Sequence, residues 1–456
     1  MLCAAPSANA QVTTAPATQA MAATHWTPLL RAAVSGDAAA IDAALRDGAD
    51  VNASLRIDDP QLTGATALML AAKAGCLPCA QTLLEHGADV AARDDHAQTA
   101  LHWAAAAGDV EIATLLLERQ AEVDARDADG QTPLVRAASS GHLKMLRSLI
   151  AAGAKVNAAT ANGWTPLLAA AKGRCVDCVQ LLLERGAAID ARWHEGSTPL
   201  LLAAAFGEAD SLKTLLLAGA DVRAADRAGM NALHHAAMRR DRAKIAILID
   251  AGADVNARNE SGQTPLILCA IYNDLDGGRL LISSNADVNL ADNAGWTSLH
   301  WAADNGSAEM GQALLAAGAQ VNAINNDRVT ALMLACAGAH ERIVTLLAEA
   351  GGDSSVAAAD GATALMAAAA AGCAECMDVV LKAGAEVDAR DVRGRTALHI
   401  AAVEGNAACV ERLLSAGADP LKATARGWTA MDLALARDDA QTAAIVDALR
   451  RFIPGA

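Results

Sequence analysis

Six of the ten cysteines fall in three pairs of one spacing: Cys76-Leu77-Pro78-Cys79, Cys175-Val176-Asp177-Cys178 and Cys373-Ala374-Glu375-Cys376. Two thiols at this separation can ligate zinc, exchange disulfides with a substrate, or close on each other. They can also stay reduced and merely fill buried space. At a helix N-terminus the thiol pKa falls and a short disulfide becomes accessible. Choosing among these chemistries requires knowing which elements hold the pairs.

No second catalytic constellation competes with them. The chain has no G-x-S-x-G, no H-E-x-x-H and no G-x-x-x-x-G-K-[ST]. The string Asp124-Ala125-Arg126-Asp127-Ala128-Asp129 resembles a calcium loop only loosely, because the Glu at the twelfth position is missing. Turn chemistry explains it better. No cofactor and no metal are therefore expected. With 52 acidic against 36 basic residues the formal charge is −16, which opposes nucleic acid and anionic lipid alike. The most apolar segment, 362–381, is broken by Glu375 and Asp378, so no membrane insertion is expected.

The elements emerge from an internal period. From Thr66, a Thr recurs every 33 residues at Thr99, Thr132, Thr165 and Thr198; Asn231, Thr264, Thr297, Thr330, Thr363, Thr396 and Thr429 continue the series. Thr27 precedes Thr66 by 39 residues, which gives thirteen units beginning at these positions. Each Thr reads as a helix N-cap, often followed by Pro at the first helical position, as in Thr132-Pro133. A short helix with an Ala-Ala pair follows, then a Gly as left-handed cap (Gly75, Gly108, Gly141, Gly207). A second helix with apolar pairs such as Leu116-Leu117 ends at another Gly (Gly87, Gly153, Gly186, Gly219). A lone unit cannot bury its apolar face, so neighbours must stack. The aromatic content of only 2% suits thin layers of closely packed helices.

Segments such as "TALHWAAAAGDVEIATLLLERQAEVDARD" and "TALHIAAVEGNAACVERLLSAGADP" resemble ankyrin repeats in their T-P-L-H, A-A, G and G-A-D-V-N positions. The resemblance covers nearly all of the chain after residue 25. It implies an all-α solenoid of stacked helix-turn-helix units with β-hairpin-like fingers, forming one repeat domain over 26–456. It also implies protein–protein binding on a concave face of fingers and first helices. His102, His234, His300 and His399 fill the T-P-L-H slot, where the resemblance implies hydrogen bonds between hairpin and helix.

Contact positions in such repeats lie just before the Thr and at the end of the first helix. Repeats three and four offer Ala106, Ala107, Ser139 and Ser140 there, whereas repeats six to eight offer Phe206, Met238, Arg239, Ile271 and Tyr272. Trp164 and Trp296 precede their Thr on flanking fingers, as Trp26 and Trp428 do near the array ends. Trp, Tyr and Arg are common binding anchors, and these seven residues from Trp164 to Trp296 are the expected partner site. The competing reading is that each Trp only staples its finger to a helix. The long first spacing, "SLRIDDPQLTG" with Ile57, is either an added contact or a tolerated insertion.

Two features weaken the array on this reading. Arg174, Arg240, Asn273 and Ala339 stand at the Gly position between helices, at about 1 kcal/mol each for Arg or Ala if the left-handed geometry is kept. In repeat eight Gly277 and Gly278 replace an apolar pair, which costs helix propensity and predicts thin packing.

The cysteine pairs share one phase, the start of the second helix, in repeats two, five and eleven. Non-adjacent layers cannot share a four-ligand zinc. Local disulfides Cys76–Cys79, Cys175–Cys178 and Cys373–Cys376, or buried thiols, remain the structural alternatives, and Cys269 and Cys336 read as packing residues. The first residues contain Ala8-Asn9-Ala10 without a preceding apolar run. Residues 1–25 are thus a disordered tail or the remnant of an export signal. In the second case the protein would be periplasmic or secreted, otherwise cytoplasmic. The expected function is a monomeric, non-enzymatic scaffold or regulatory subunit holding a protein partner. A thiol–disulfide exchange protein using the C-x-x-C pairs is the alternative.

Overall fold

The computed structural model describes residues 26–56, 59, 62–437 and 440–453. The Ala8-Asn9-Ala10 motif and Ile57 lie outside them. Helices account for almost all the regular structure among these residues, and the fold is an all-α solenoid of helical hairpins. Contacts divide the chain into two units, one ending at His194 and one starting at Glu195.

Each hairpin starts as the sequence dictates. The Thr132 hydroxyl accepts the Val135 N–H and the Thr165 hydroxyl that of Leu168, with Pro133 and Pro166 at the first helical positions. Gly75, Gly108 and Gly141 adopt φ of 68°, 78° and 74° to end their helices, where a side chain would be strained. In repeat six the cap is instead Phe206 at φ −137°, and the Gly207 N–H bonds the Leu202 and Ala203 carbonyls.

In the first unit the first helices Pro28–Ser35, Ala67–Ala74, Ala100–Ala107, Pro133–Ser140 and Pro166–Lys172 stack in sequence. The second helices Ala38–Arg46, Leu77–Glu85, Val110–Glu118, Leu143–Ala151 and Val176–Glu184 form a parallel row. In the second unit eight hairpins run from Pro199–Ala205 with Ala209–Leu217 to Ala430–Leu435 with Thr442–Phe452, stacked in the same way. The layers are thin because the Ala pairs are completely buried, as at Ala104-Ala105 and Ala236-Ala237. Buried leucines such as Leu83, Leu116 and Leu149 supply the apolar area, about 1.5–3 kcal/mol each.

The fingers are hairpins closed by single bridges, among them Ala225 with Asn231 and Ala291 with Thr297. Neighbouring tips are tied by backbone bonds, such as Ala128 N–H to the His96 carbonyl and Asn326 N–H to that of Ala294. The base of the long first finger is pinned by the buried Leu55, which exchanges backbone bonds with Ala65 and Gly64.

Two expectations need correction. Arg240, Asn273 and Ala339 do keep the left-handed geometry, at φ of 57°, 52° and 54°, but Arg174 does not. There the helix ends one residue early on Gly173, at φ −82° and ψ −169°, which any residue adopts. Repeat eight is not thinly packed either. A Cβ at Gly278 would meet Met310 Cε at 2.7 Å, and one at Gly277 would meet Ile245 Cδ1 at 2.8 Å. Neighbouring side chains occupy the space the glycines vacate.

Candidate protein-binding face and cysteine pairs

Three neighbouring inter-helix turns of the second unit carry the candidate face. Phe206 closes the helix Pro199–Ala205 and is 52% exposed; Tyr272 closes Pro265–Ile271 and is 42% exposed. Between them, Arg239 follows the helix Ala232–Met238 and lays its guanidinium 4.7 Å from the centre of the Phe206 ring. Met238 and Ile271 are half-buried beside these exposed residues.

Beneath this turn lies a residue that the sequence reading missed. Lys244 stands where most other repeats place Ile, Met or Cys, with Ser211 and Gly277 on either side, and it is buried. Its ammonium lies 3.3 Å from Asp241 and donates to the Ala204 carbonyl of the preceding hairpin at 3.2 Å. Two successive turns are thus tied together at the base of Phe206 and Arg239. The only sequence signal was a Lys in an apolar slot.

The two tryptophans are placed differently. Trp296 is half-buried against Trp301, with ring centres 4.6 Å apart, and its backbone N–H is held by Asp292 at 2.9 Å. Trp164 belongs to the first unit, where it is half-buried edge-on to Trp193 at 4.7 Å. Each packs on its own surroundings while leaving part of the ring open. Phe206 and Arg239 are therefore in direct contact, and Trp164 stands in the other unit.

The first unit has a groove of ≈ 710 Å³ over repeats two to four that the sequence reading passed over. Ala106 and Ala107 line it, with Lys73, Trp103, Asp129 and Arg136 around them. Trp103 Nε1–H donates to Asp94 at 2.9 Å, and Arg136 holds Asp127 at 2.6 Å. Small residues that appeared to offer nothing are what leave the space open.

The cysteine pairs each cap a second helix. Cys76, Cys175 and Cys373 stand at the N-cap, and their sulfurs accept the backbone N–H of Cys79, Cys178 and Cys376 at 3.2, 3.2 and 3.1 Å. In each pair the sulfurs lie at bonding distance, with Cα atoms 5.2, 5.2 and 5.3 Å apart. The inner cysteines are completely buried, while Cys76 and Cys175 are half-buried. Cys269, Cys336 and Cys409 are buried and unbonded. Burial pushes the Cys336 thiol up to about 12 and that of Cys409 up to about 11, so both stay protonated and unreactive. Among the described residues, no group of three His, Cys, Asp or Glu could hold a metal ion, and no helix is long and apolar enough to cross a membrane.

The slot histidines join finger to helix. Backbone N–H groups of Thr99, Thr297 and Thr396 donate to Nδ1 of His102, His300 and His399 at 3.1, 3.2 and 3.1 Å. The opposite nitrogen then carries the proton and donates to the carbonyls of Gln131, Val329 and Trp428. His234 does the same between Asn231 and Gln263. Burial lowers all four pKa values, that of His234 to about 4. These imidazoles are neutral, spent on structure and closed to acid–base chemistry.

A comparison with known families agrees with this geometry. The family described as Ankyrin repeats (3 copies) matches in overlapping segments that run from residue 6 to residue 449. No curated protein matches the chain. The chain belongs to the ankyrin-repeat family.

Proposed function

We propose that this ankyrin-repeat protein is a non-enzymatic scaffold or regulatory subunit that holds a protein partner on the exposed ends of its first helices. The repeats themselves indicate a protein–protein interaction domain. The finer reading places the principal site at Phe206, Met238, Arg239, Ile271 and Tyr272, with Trp296 as a flanking contact in the same unit. One observation carries it: a chain with two Phe and one Tyr leaves Phe206 and Tyr272 open to solvent on turns of the same kind in repeats six and eight. Large rings left partly open to solvent are common anchors for partners.

The experiment is affinity capture by the full chain from the cells that make it, beside the triple variant F206A/R239A/Y272A. Loss of one stoichiometric partner with an unchanged circular dichroism spectrum supports the site. Undiminished capture places it elsewhere.

A second reading rests on the cysteines. Cys76 and Cys175 are half-exposed at helix N-termini while their partners are buried, an asymmetry shared with thiol–disulfide exchange centres. Against it, the three pairs substitute for an ordinary N-cap (Asp109 and Asp241 hold the same place elsewhere), which favours structural disulfides. Bonded pairs would suit an oxidising compartment. Insulin reduction separates the readings: activity abolished by Cys76→Ser and Cys175→Ser together would establish exchange, and no activity leaves the pairs structural.

A further inference from the structure

Resting on the partner face just described, we propose that it recognises an acidic segment of the partner. The segment's carboxylates would pair with Arg239, Arg240 and Arg242 while its apolar side chains pack on Phe206 and Tyr272.

The turn between the helices Ala232–Met238 and Arg242–Asp250 and the first residue of the second helix carry Arg239, Arg240 and Arg242, all exposed. None of the three makes an ion pair among the described residues. The one carboxylate in their midst, Asp241, is already engaged: it caps the Lys244 N–H at 3.1 Å and holds the Lys244 ammonium at 3.3 Å. The positive charge of this turn is therefore uncompensated within a chain whose formal charge is −16. A basic turn on a protein of net negative charge favours an acidic segment at this place.

The backbone adds a separate observation. Arg240 adopts φ 57° at the place where Gly141 adopts 74° in repeat four. Ala339 adopts the same geometry at the same phase, so the repeat sets this backbone whatever the side chain, and Arg240 leaves the turn from a fixed position. Its neighbour Arg239 is pre-ordered by the Phe206 ring, and the Lys244 tie to the Ala204 carbonyl fixes the two turns together. An ordered guanidinium fork matches a carboxylate in two parallel bonds with little entropy left to lose. Nucleic acid could also use the arginines, but the net charge opposes a long polyanion, and the flanking rings suit apolar side chains.

The test selects displayed random short peptides on the full wild-type chain. Binding of the winners is then measured to R239E/R240E/R242E, to R239K/R240K/R242K and to F206A/Y272A, each checked by circular dichroism. Winners of net negative charge that lose at least about tenfold in affinity on charge reversal, lose less than that in the lysine variant, which keeps the charge without the fork, and weaken with salt support the inference. Winners that lose binding only to F206A/Y272A overturn the acidic inference and leave the face standing. Winners indifferent to all variants, or no winners, overturn both. Equal binding of a short single-stranded oligonucleotide overturns the choice of a peptide.

Discussion

The guanidinium carbon of Arg239 lies 4.7 Å from the centre of the Phe206 ring, so residues from neighbouring hairpins meet on an open surface. A cation over an aromatic face in an exposed setting is worth about 0.5–1 kcal/mol. In a double-mutant cycle of F206A and R239A read by urea unfolding, a coupling of that size is expected. Each single variant should shift stability by no more than about 1 kcal/mol. A coupling indistinguishable from zero would remove the argument that Arg239 is pre-ordered.

The second prediction concerns the sulfurs. Alkylation of the unfolded, unreduced protein followed by mass measurement should find Cys76, Cys79, Cys175, Cys178, Cys373 and Cys376 blocked, and reduction should release all six. Closing so short a loop is worth about 2 kcal/mol in the chain-entropy account. Reduction should therefore lower the unfolding midpoint without changing the helical spectrum. Alkylation of all six before reduction would show thiols instead.

The slot histidines give stability a pH dependence of definite sign. An unperturbed imidazole titrates at 6.5, while His234 in the fold titrates at about 4 because it is buried and stands beside His235. The unfolded chain therefore binds the extra proton throughout the interval between these values. Stability is fully present above 6.5 and is lost as the pH falls through that interval toward about 4. Urea midpoints measured near neutrality and near pH 5 should show the decline. His234→Ala should flatten its share of the slope and cost about 1–3 kcal/mol for the polar groups it orphans. A midpoint rising toward acid would contradict the assignment.

Gly277 tests how the eighth repeat is packed. Helix propensity alone predicts that Gly277→Ala stabilises by about 0.8–1.0 kcal/mol. The structure predicts a loss of about 1–3 kcal/mol from overpacking, because the new methyl would meet Ile245 and the Asp274 carboxylate that caps this helix. Thermal unfolding of the variant decides between them.

What could be read in advance followed strict periodicity. The Thr series, the slot histidines and the phase of the cysteine pairs all depend on local bonds set by residue type and position. What could not be read depends on which neighbour fills a space. Gly277 and Gly278 looked like a void because Ile245 and Met310 come from adjacent repeats. Arg174 looked strained because an alternative ending at Gly173 leaves no mark in the spacing. Lys244 was hidden in an apolar slot, since only the fold brings the Ala204 carbonyl to its ammonium. The groove at Ala106 and Ala107 arises from side chains that are missing, which sequence patterns register poorly.

Photo-crosslinking reports most directly on where a partner sits. A benzophenone amino acid would replace Phe206 in one preparation, Tyr272 in a second and Leu217 in a third; Leu217 is 80% exposed at the end of a second helix. Irradiation in the cells that make the protein should give one discrete adduct from positions 206 and 272 and none from 217. An adduct from 217 alone, or equal yields from all three, would contradict binding at the ends of the first helices.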